Sequence, residues 1–477
     1  MVFSSYEFIL IFLPVTVMGY FLLSFPSNVI WQKIFLLGAS LFFYGYYHVG
    51  YLCLIMASML VNYVIALALQ TGANAKPILR KVLLTLGVLA NIGLIGYYKY
   101  LDFFISSVNA FAGTDFTLHN ILLPLGISFF TFQQLSFLIS VYKREEAVDN
   151  FLNYCLFVTF FPQLVAGPIV LYTEMIPQFS DEKKRYFNAN RFASGLFFLA
   201  VGLFKKAVVA DTLAVFVDNG FGLDEMGLIG GWVTSLSYTL QIYFDFSGYS
   251  DMAIGLGKLF NIELPDNFDR PYLSESITVF WRRWHMTLGR ALSTYIYKPL
   301  GGNRNGLART CINLLLTFFV SGLWHGAAWT FVVWGILQGI IVVFERLCKD
   351  VLRRIPRAIR VACTFLTTNF LWVLFRADSF EEAQGIYKAM LNFGNLDFST
   401  ISVLVQDGTV SFPTILNCAV VFLLLGVLLM VIFRSVERID RNQKAGFSGI
   451  QAVLAAVCVV LSLLCMGRES VFIYFNF

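Results

Sequence analysis

Long apolar runs separated by short charged loops organise this chain from end to end. A bilayer core about 30 Å thick needs roughly 20 apolar residues per helix. Runs of that kind lie near 6–24, 30–47, 51–70, 82–99, 120–142, 192–217, 230–258, 326–344, 359–376, 410–433 and 449–466. They predict about eleven transmembrane helices. Two more apolar stretches, 151–169 and 310–322, are shorter or interrupted by polar residues. No internal repeat is visible, and no gap between helices holds a soluble domain. Residues 1–477 therefore read as one all-α polytopic membrane domain.

The basic residues set an expected orientation, because Lys and Arg in short loops favour the cytoplasmic side. Loops 71–81, 345–360 and 434–444 and the segment 263–309 are the richest in them. Placing all four inside puts both termini outside. Loops 143–150 and 181–191 are basic too, yet only 151–169 separates them. That stretch holds Pro162, Gln163, Gly167 and Pro168, residues that interrupt a helix. A re-entrant segment resolves the parity. Irregular backbone at membrane depth persists only where protein buries it or it lines a cavity. By the same logic 310–344 folds as a hairpin or re-entrant pair with Ser321 to Gly326 at its turn. Segment 262–308 is the longest hydrophilic stretch. Its Trp281-Arg282-Arg283-Trp284-His285 interleaves tryptophan with arginine, as suits a helix lying in the cytoplasmic interface.

Composition excludes the alternatives. The chain is 58% hydrophobic and 13% charged, against about 25% charged in soluble domains. A soluble multidomain enzyme and a disordered chain are both ruled out. The net charge of +5 is modest and its cations sit in inter-helix loops, so no nucleic-acid partner is implied. The eight cysteines are dispersed without a CxxC pair, which suggests neither a metal site nor a disulfide framework. The N-terminus has no positive n-region and no A-x-A pattern, so the first run reads as an uncleaved membrane helix.

Candidate chemistry is sparse. Of four histidines, His48 and His119 fall in expected outer loops. His325 sits in the apolar run Trp324-His325-Gly326-Ala327-Ala328-Trp329, where small neighbours leave room for another group to approach. A buried neutral imidazole takes a proton from a hydroxyl at neutral pH; a hydrogen-bonded core histidine is the other reading, and spacing does not decide. His285 follows two arginines and is either functional or a structural hydrogen bonder. Gln241 and Asp245 share a helix face, and a carboxylate there is costly enough to face the bundle interior, where it could orient a histidine or join helices. No zinc spacing, GxxxxGK[ST] loop, GxGxxG after a strand or GxSxG occurs. Two irregular segments imply a cavity, which a channel or carrier has as readily as an enzyme.

Several ordered motifs carry a resemblance. Tyr243 to Asp251, Pro265 to Tyr272, Trp281 to Met286, Tyr297 to Arg304 and Trp324 to Thr330 are similar to the signatures of membrane-bound O-acyltransferases. The opening Met1 to Ser5 and the ending Phe472 to Phe477 resemble the branch containing the alginate O-acetyltransferase membrane subunit. The resemblance implies a ring of helices around a central funnel in the cell membrane. It implies an acyl group drawn from a cytoplasmic thioester, acetyl-CoA first, with no bound cofactor or metal. The acyl group passes to a hydroxyl outside, on a polysaccharide or on a secreted or anchored SGNH-type partner. It assigns catalysis to His325 with His285 as the second histidine, supported by Asp245, Trp324 and Arg282. Lys298, Asn303 and Arg304 would meet the donor's phosphates, although topology alone also explains that basic set. Two rival readings are D-alanyl transfer to teichoic acid from a carrier protein and a non-catalytic lipid or sugar transporter.

Overall fold

The computed structural model describes residues 1–24, 29–46, 48–71, 77–145, 147–223, 225–396, 426, 449–466 and 473. Among them every regular element is helical. Among the described residues, six helices are long and apolar enough to cross a membrane: Val49–Thr71, Pro77–Ala112, Ala189–Phe221, Gly306–His325, Trp329–Leu347 and Arg357–Arg376. Shorter apolar helices span Phe8–Leu22, Ile30–Gly45 and Gly449–Cys465, and Leu228–Leu259 fills the expected 230–258. The expected all-α, multi-pass architecture is borne out. The expected helix 410–433 lies outside the described residues except for Gly426.

Met1–Leu199 with Met252–Pro265 form one compact unit, and Ala200–Asp251 with Asp266–Phe477 form a second. In the first unit, rings of Phe8, Phe12, Phe43 and Phe161 pack at centroid distances of 5.3–6.1 Å. A polar knot ties three helices together. Asn91 Nδ2 donates to Asn62 Oδ1 at 2.6 Å, and Asn62 and Ser58 donate to Gln134. Amide bonds of this kind join helices where no water competes.

One sequence expectation changes in this unit and another holds. The run 120–142 starts its helix only at Ile127. Pro124 disfavours helix in the residue before it, and Gly126 enters the helix at φ 70°. The stretch 151–169 is broken, as Pro162 requires, into Phe151–Thr159 and Phe161–Leu164 around the non-helical Phe160. Nearly all of it is buried.

The second unit is built on a helix pair. Gly306–His325 and Trp329–Leu347 are joined by residues 326–328. Glycines let their backbones touch: a Cβ on Gly322 would lie 2.4 Å from the Phe331 carbonyl oxygen, and one on Gly335 would lie 2.5 Å from that of Phe318. The expected hairpin is present, but its turn comes later. Ser321 to His325 form the last helical turn, and Gly326 with φ −159° ends the helix. The space beside Gly326 is not open to a visiting group either, because a Cβ there would fall 2.2 Å from the Phe331 ring.

Segment 262–308 does not form the one continuous helix expected of it. Ile277–Trp281 and Met286–Leu292, the latter continued by the π-helical Ser293–Tyr297, are separated by a sharp turn. Trp284 is fully buried and packs on Phe268, Phe280 and Trp372 at 5.0–5.5 Å. Burying this indole outweighs laying it at a surface. Glu345 fastens the segment to the helix pair. Its carboxylate accepts from the Ile277 and Thr278 amides at 2.6 and 2.9 Å and from the Thr278 hydroxyl at 2.8 Å.

Candidate active site

The turn between the two short helices places His285. Its backbone has φ 43° and ψ 53°, a left-handed conformation that costs energy in a non-glycine residue and concentrates at functional sites. The side chain is buried, with its ring edge-on to Phe246 at 4.7 Å. Its Nδ1 lies 3.0 Å from Asn267 Oδ1. The same oxygen accepts from the Thr287 amide at 3.3 Å and the Thr287 hydroxyl at 2.9 Å. Burial pushes the His285 imidazole down to about 3, so the ring is neutral at physiological pH.

His325 is the last residue of its helix and is equally buried. Its ring meets Trp334 and Phe375 at 5.2 Å each and Trp324 at 5.1 Å. The Trp324 ring is also 5.8 Å from that of His285. One indole thus touches both histidines, which are 40 positions apart in the chain (325 − 285).

A cavity of about 400 Å³ opens beside this pair. Its walls include His285, Arg282, Arg290, Tyr297, Trp281 and Ser321. Ser321 is one helical turn before His325, so the cavity reaches His285 directly and ends a turn short of His325. Two guanidiniums, a phenol and the Trp281 indole make a wall that suits an elongated ligand with anionic and apolar parts.

The other predicted residues fall elsewhere. Lys298, Asn303 and Arg304 are exposed and do not line the cavity. Asn303 is linked to it only through Tyr297, whose hydroxyl donates to Asn303 Oδ1. Asp245 is buried, as its cost demanded, but it pairs with a lysine rather than orienting a histidine. Lys206 Nζ lies 2.8 Å from both Asp245 and Asp211, and the Ile473 amide donates to Asp245 at 2.9 Å. Lys205 pairs with Asp251 at 2.5 Å. A seven-residue π-helical stretch, Phe204–Ala210, carries both lysines. The sequence signal for this cluster was two lysines inside the apolar run 192–217, a placement too costly without partners. Asn267, Arg290 and Tyr297 also went unassigned. Asn267 and Tyr297 lay within quoted motifs, but nothing in the spacing tied them to His285.

An all-helical multi-pass chain with two buried histidines beside a cationic cavity is the frame of a membrane acyltransferase, and the chain belongs to the membrane-bound O-acyltransferase family, which residues 36–377 match. It is an O-acyltransferase. The chain is 39% identical to the peptidoglycan O-acetyltransferase of Helicobacter pylori across 100% of its own length and 98% of that protein. It is 40% identical to the probable alginate O-acetylase AlgI of Pseudomonas putida, over 84% of this chain and 82% of that one. The teichoic acid D-alanyltransferase of Bacillus subtilis is 26% identical over 47% of this chain and 59% of its own.

Proposed function

We propose that this protein takes an acetyl group from acetyl-CoA and delivers it to hydroxyls of an extracytoplasmic polysaccharide, directly or through an SGNH-type partner. The observation that carries the reading is the cavity bounded by Arg282, Arg290 and His285, with His325 joined to it through Trp324. The guanidiniums suit the donor's phosphates, and the aromatic wall suits its pantetheine arm. The full-length likeness to a peptidoglycan O-acetyltransferase makes peptidoglycan the first acceptor to test. D-alanyl transfer has weaker support, since those relatives match under half of this chain.

In the proposed reaction, the His325 imidazole takes the proton of the acceptor hydroxyl as its oxygen attacks the thioester carbonyl. The tetrahedral intermediate collapses by breaking the C–S bond, and the thiolate receives the proton from the imidazolium. The products are an ester and free thiol, with the histidine restored. A positioned base of this kind contributes about 10²–10⁴ in rate. Mass analysis of envelope polysaccharide from cells with and without the gene tests the reading. Acetyl esters lost with the gene support it, and an unchanged ester content or a missing D-alanyl ester overturns it.

A further inference from the structure

We infer that Asn267 is a positioning residue that fixes the tautomer of His285, so that Nε2 serves as a hydrogen-bond acceptor toward the cavity. The Thr287 backbone N–H can only donate, and it meets the Asn267 side chain at 3.3 Å. The atom it meets is therefore the amide oxygen. That oxygen also lies 3.0 Å from His285 Nδ1. Two acceptors cannot share a hydrogen bond, so Nδ1 carries the proton. A neutral imidazole holds one N–H, which leaves the lone pair on Nε2.

The supports are built to keep this arrangement. Asn267 is buried, and its Nδ2 donates to Ser250 Oγ at 3.3 Å on the Leu228–Leu259 helix. The Met286 amide donates to the Asn267 carbonyl at 3.0 Å, and the Asp269 amide to that of Arg283 at 2.9 Å. The two strands of backbone are thus clamped on either side of His285. Phe246 stands edge-on to the imidazole and limits its rotation. Asn267 is not part of the cavity wall, and its side chain meets that wall at His285. The inference rests on the proposed donor site for its functional meaning: Nε2 accepts a hydrogen bond from an amide N–H of the donor's pantetheine arm.

The charged and titratable groups around His285 are Arg282, Arg283, Arg290 and Tyr297 on its own segment, and Asp269 and Arg270 beside Asn267. Asp251, paired with Lys205, lies on the helix that carries Ser250 and Phe246, and His325 lies across Trp324. An added carboxylate at position 267 would favour the imidazolium and raise the pH at which His285 protonates.

The test uses the full-length protein in bilayers with ¹⁵N-labelled histidine, the His285 signal being assigned by its loss in His285→Gln. Solid-state NMR should show the proton on Nδ1 in the wild type and a mixture of tautomers in Asn267→Ala. With acetyl-CoA as donor, Asn267→Ala should raise donor KM about tenfold, the value of one hydrogen bond, with a smaller change in kcat. Asn267→Asp keeps the acceptor and the Nδ1–H tautomer, so donor KM recovers at high pH and climbs again as pH falls. A wild-type proton on Nε2 overturns the inference. So does an unchanged His285 spectrum in Asn267→Ala, whatever its activity, and so does a pH profile in Asn267→Asp identical to wild type. The NMR arm needs no turnover, so failure of acetyl transfer itself counts against the proposed function and leaves the tautomer to be judged separately.

Discussion

His285 holds its proton count against burial, and that has a consequence for stability. Its folded-state value is near 3, whereas an unfolded histidine protonates near 6.5. Below about pH 6.5 the unfolded chain therefore binds a proton that the fold refuses, and stability falls with pH down to about 3. Above that window the contribution is fully present. Between pH 7 and 5 the wild type should lose about 2 kcal/mol more than His285→Gln, read as a steeper fall in melting temperature in detergent. Parallel curves would contradict a neutral, buried His285. Arginine placement gives a second expectation at this scale. Arg282 lines the cavity while Lys298 and Arg304 are exposed away from it. Arg282→Ala should raise the donor KM about tenfold or more, as loss of a charge-assisted bond does. The Lys298→Ala, Arg304→Ala pair should change it less; the reverse ranking would return the donor phosphates to the 298–304 turn. His325 was legible in the sequence because a polar group in an apolar run is costly, and His285 because it lies in the motif Trp281 to Met286. Asn267 was not, because its tie to His285 across 18 positions (285 − 267) arises only when the two short helices fold back.

Helices owe their legibility to the same rule and their errors to local backbone chemistry. The apolar runs marked nearly every long helix, since a bilayer leaves few other ways to satisfy the backbone. The misplacements fall where a proline, a glycine or a buried indole decides: Pro124 and Gly126 before Ile127, Gly326 after His325, and Trp284 in the 262–308 segment. The small residues after His325 read as space for a visitor, yet a Cβ on Gly326 would meet the Phe331 ring at 2.2 Å, and Gly322 and Gly335 bring the paired helices into contact. This makes an element-scale prediction. A methyl on Gly335 would sit 2.5 Å from the Phe318 carbonyl and 2.9 Å from Gly322 Cα. Gly335→Ala should therefore cost about 1–3 kcal/mol, seen as a lower melting temperature and yield. Gly385, inside the Phe380–Met390 helix, has nothing within 4 Å of a Cβ. Gly385→Ala should instead stabilise by about 0.5–1 kcal/mol. Equal effects at the two glycines would show that the helix pair is not packed through its backbones.

Across the whole molecule, membrane class came directly from composition, and motif order pointed to the acyltransferase family. The cavity that joins them was only implied by irregular segments, because its wall draws on residues from 281 to 321 that no local pattern links. The basic loops lead to the expectation that both termini lie outside, so cysteines added at residues 1 and 477, in a background free of the native ones, should be labelled by a reagent confined to the outside. A C-terminal cysteine reached only from the cytoplasm would put the helix count out by one. His325 is the proposed base in a reaction that the cavity beside His285 supports. The most direct measurement is acetyl transfer from acetyl-CoA to an isolated envelope polysaccharide, per milligram of monodisperse protein, for the wild type and His325→Ala. The wild type should transfer acetyl, and the variant should lose about 10²-fold or more per milligram of folded protein, beyond the drop in melting temperature that truncating a buried ring brings. A His325→Ala protein with near-wild-type specific activity would contradict His325 as the base.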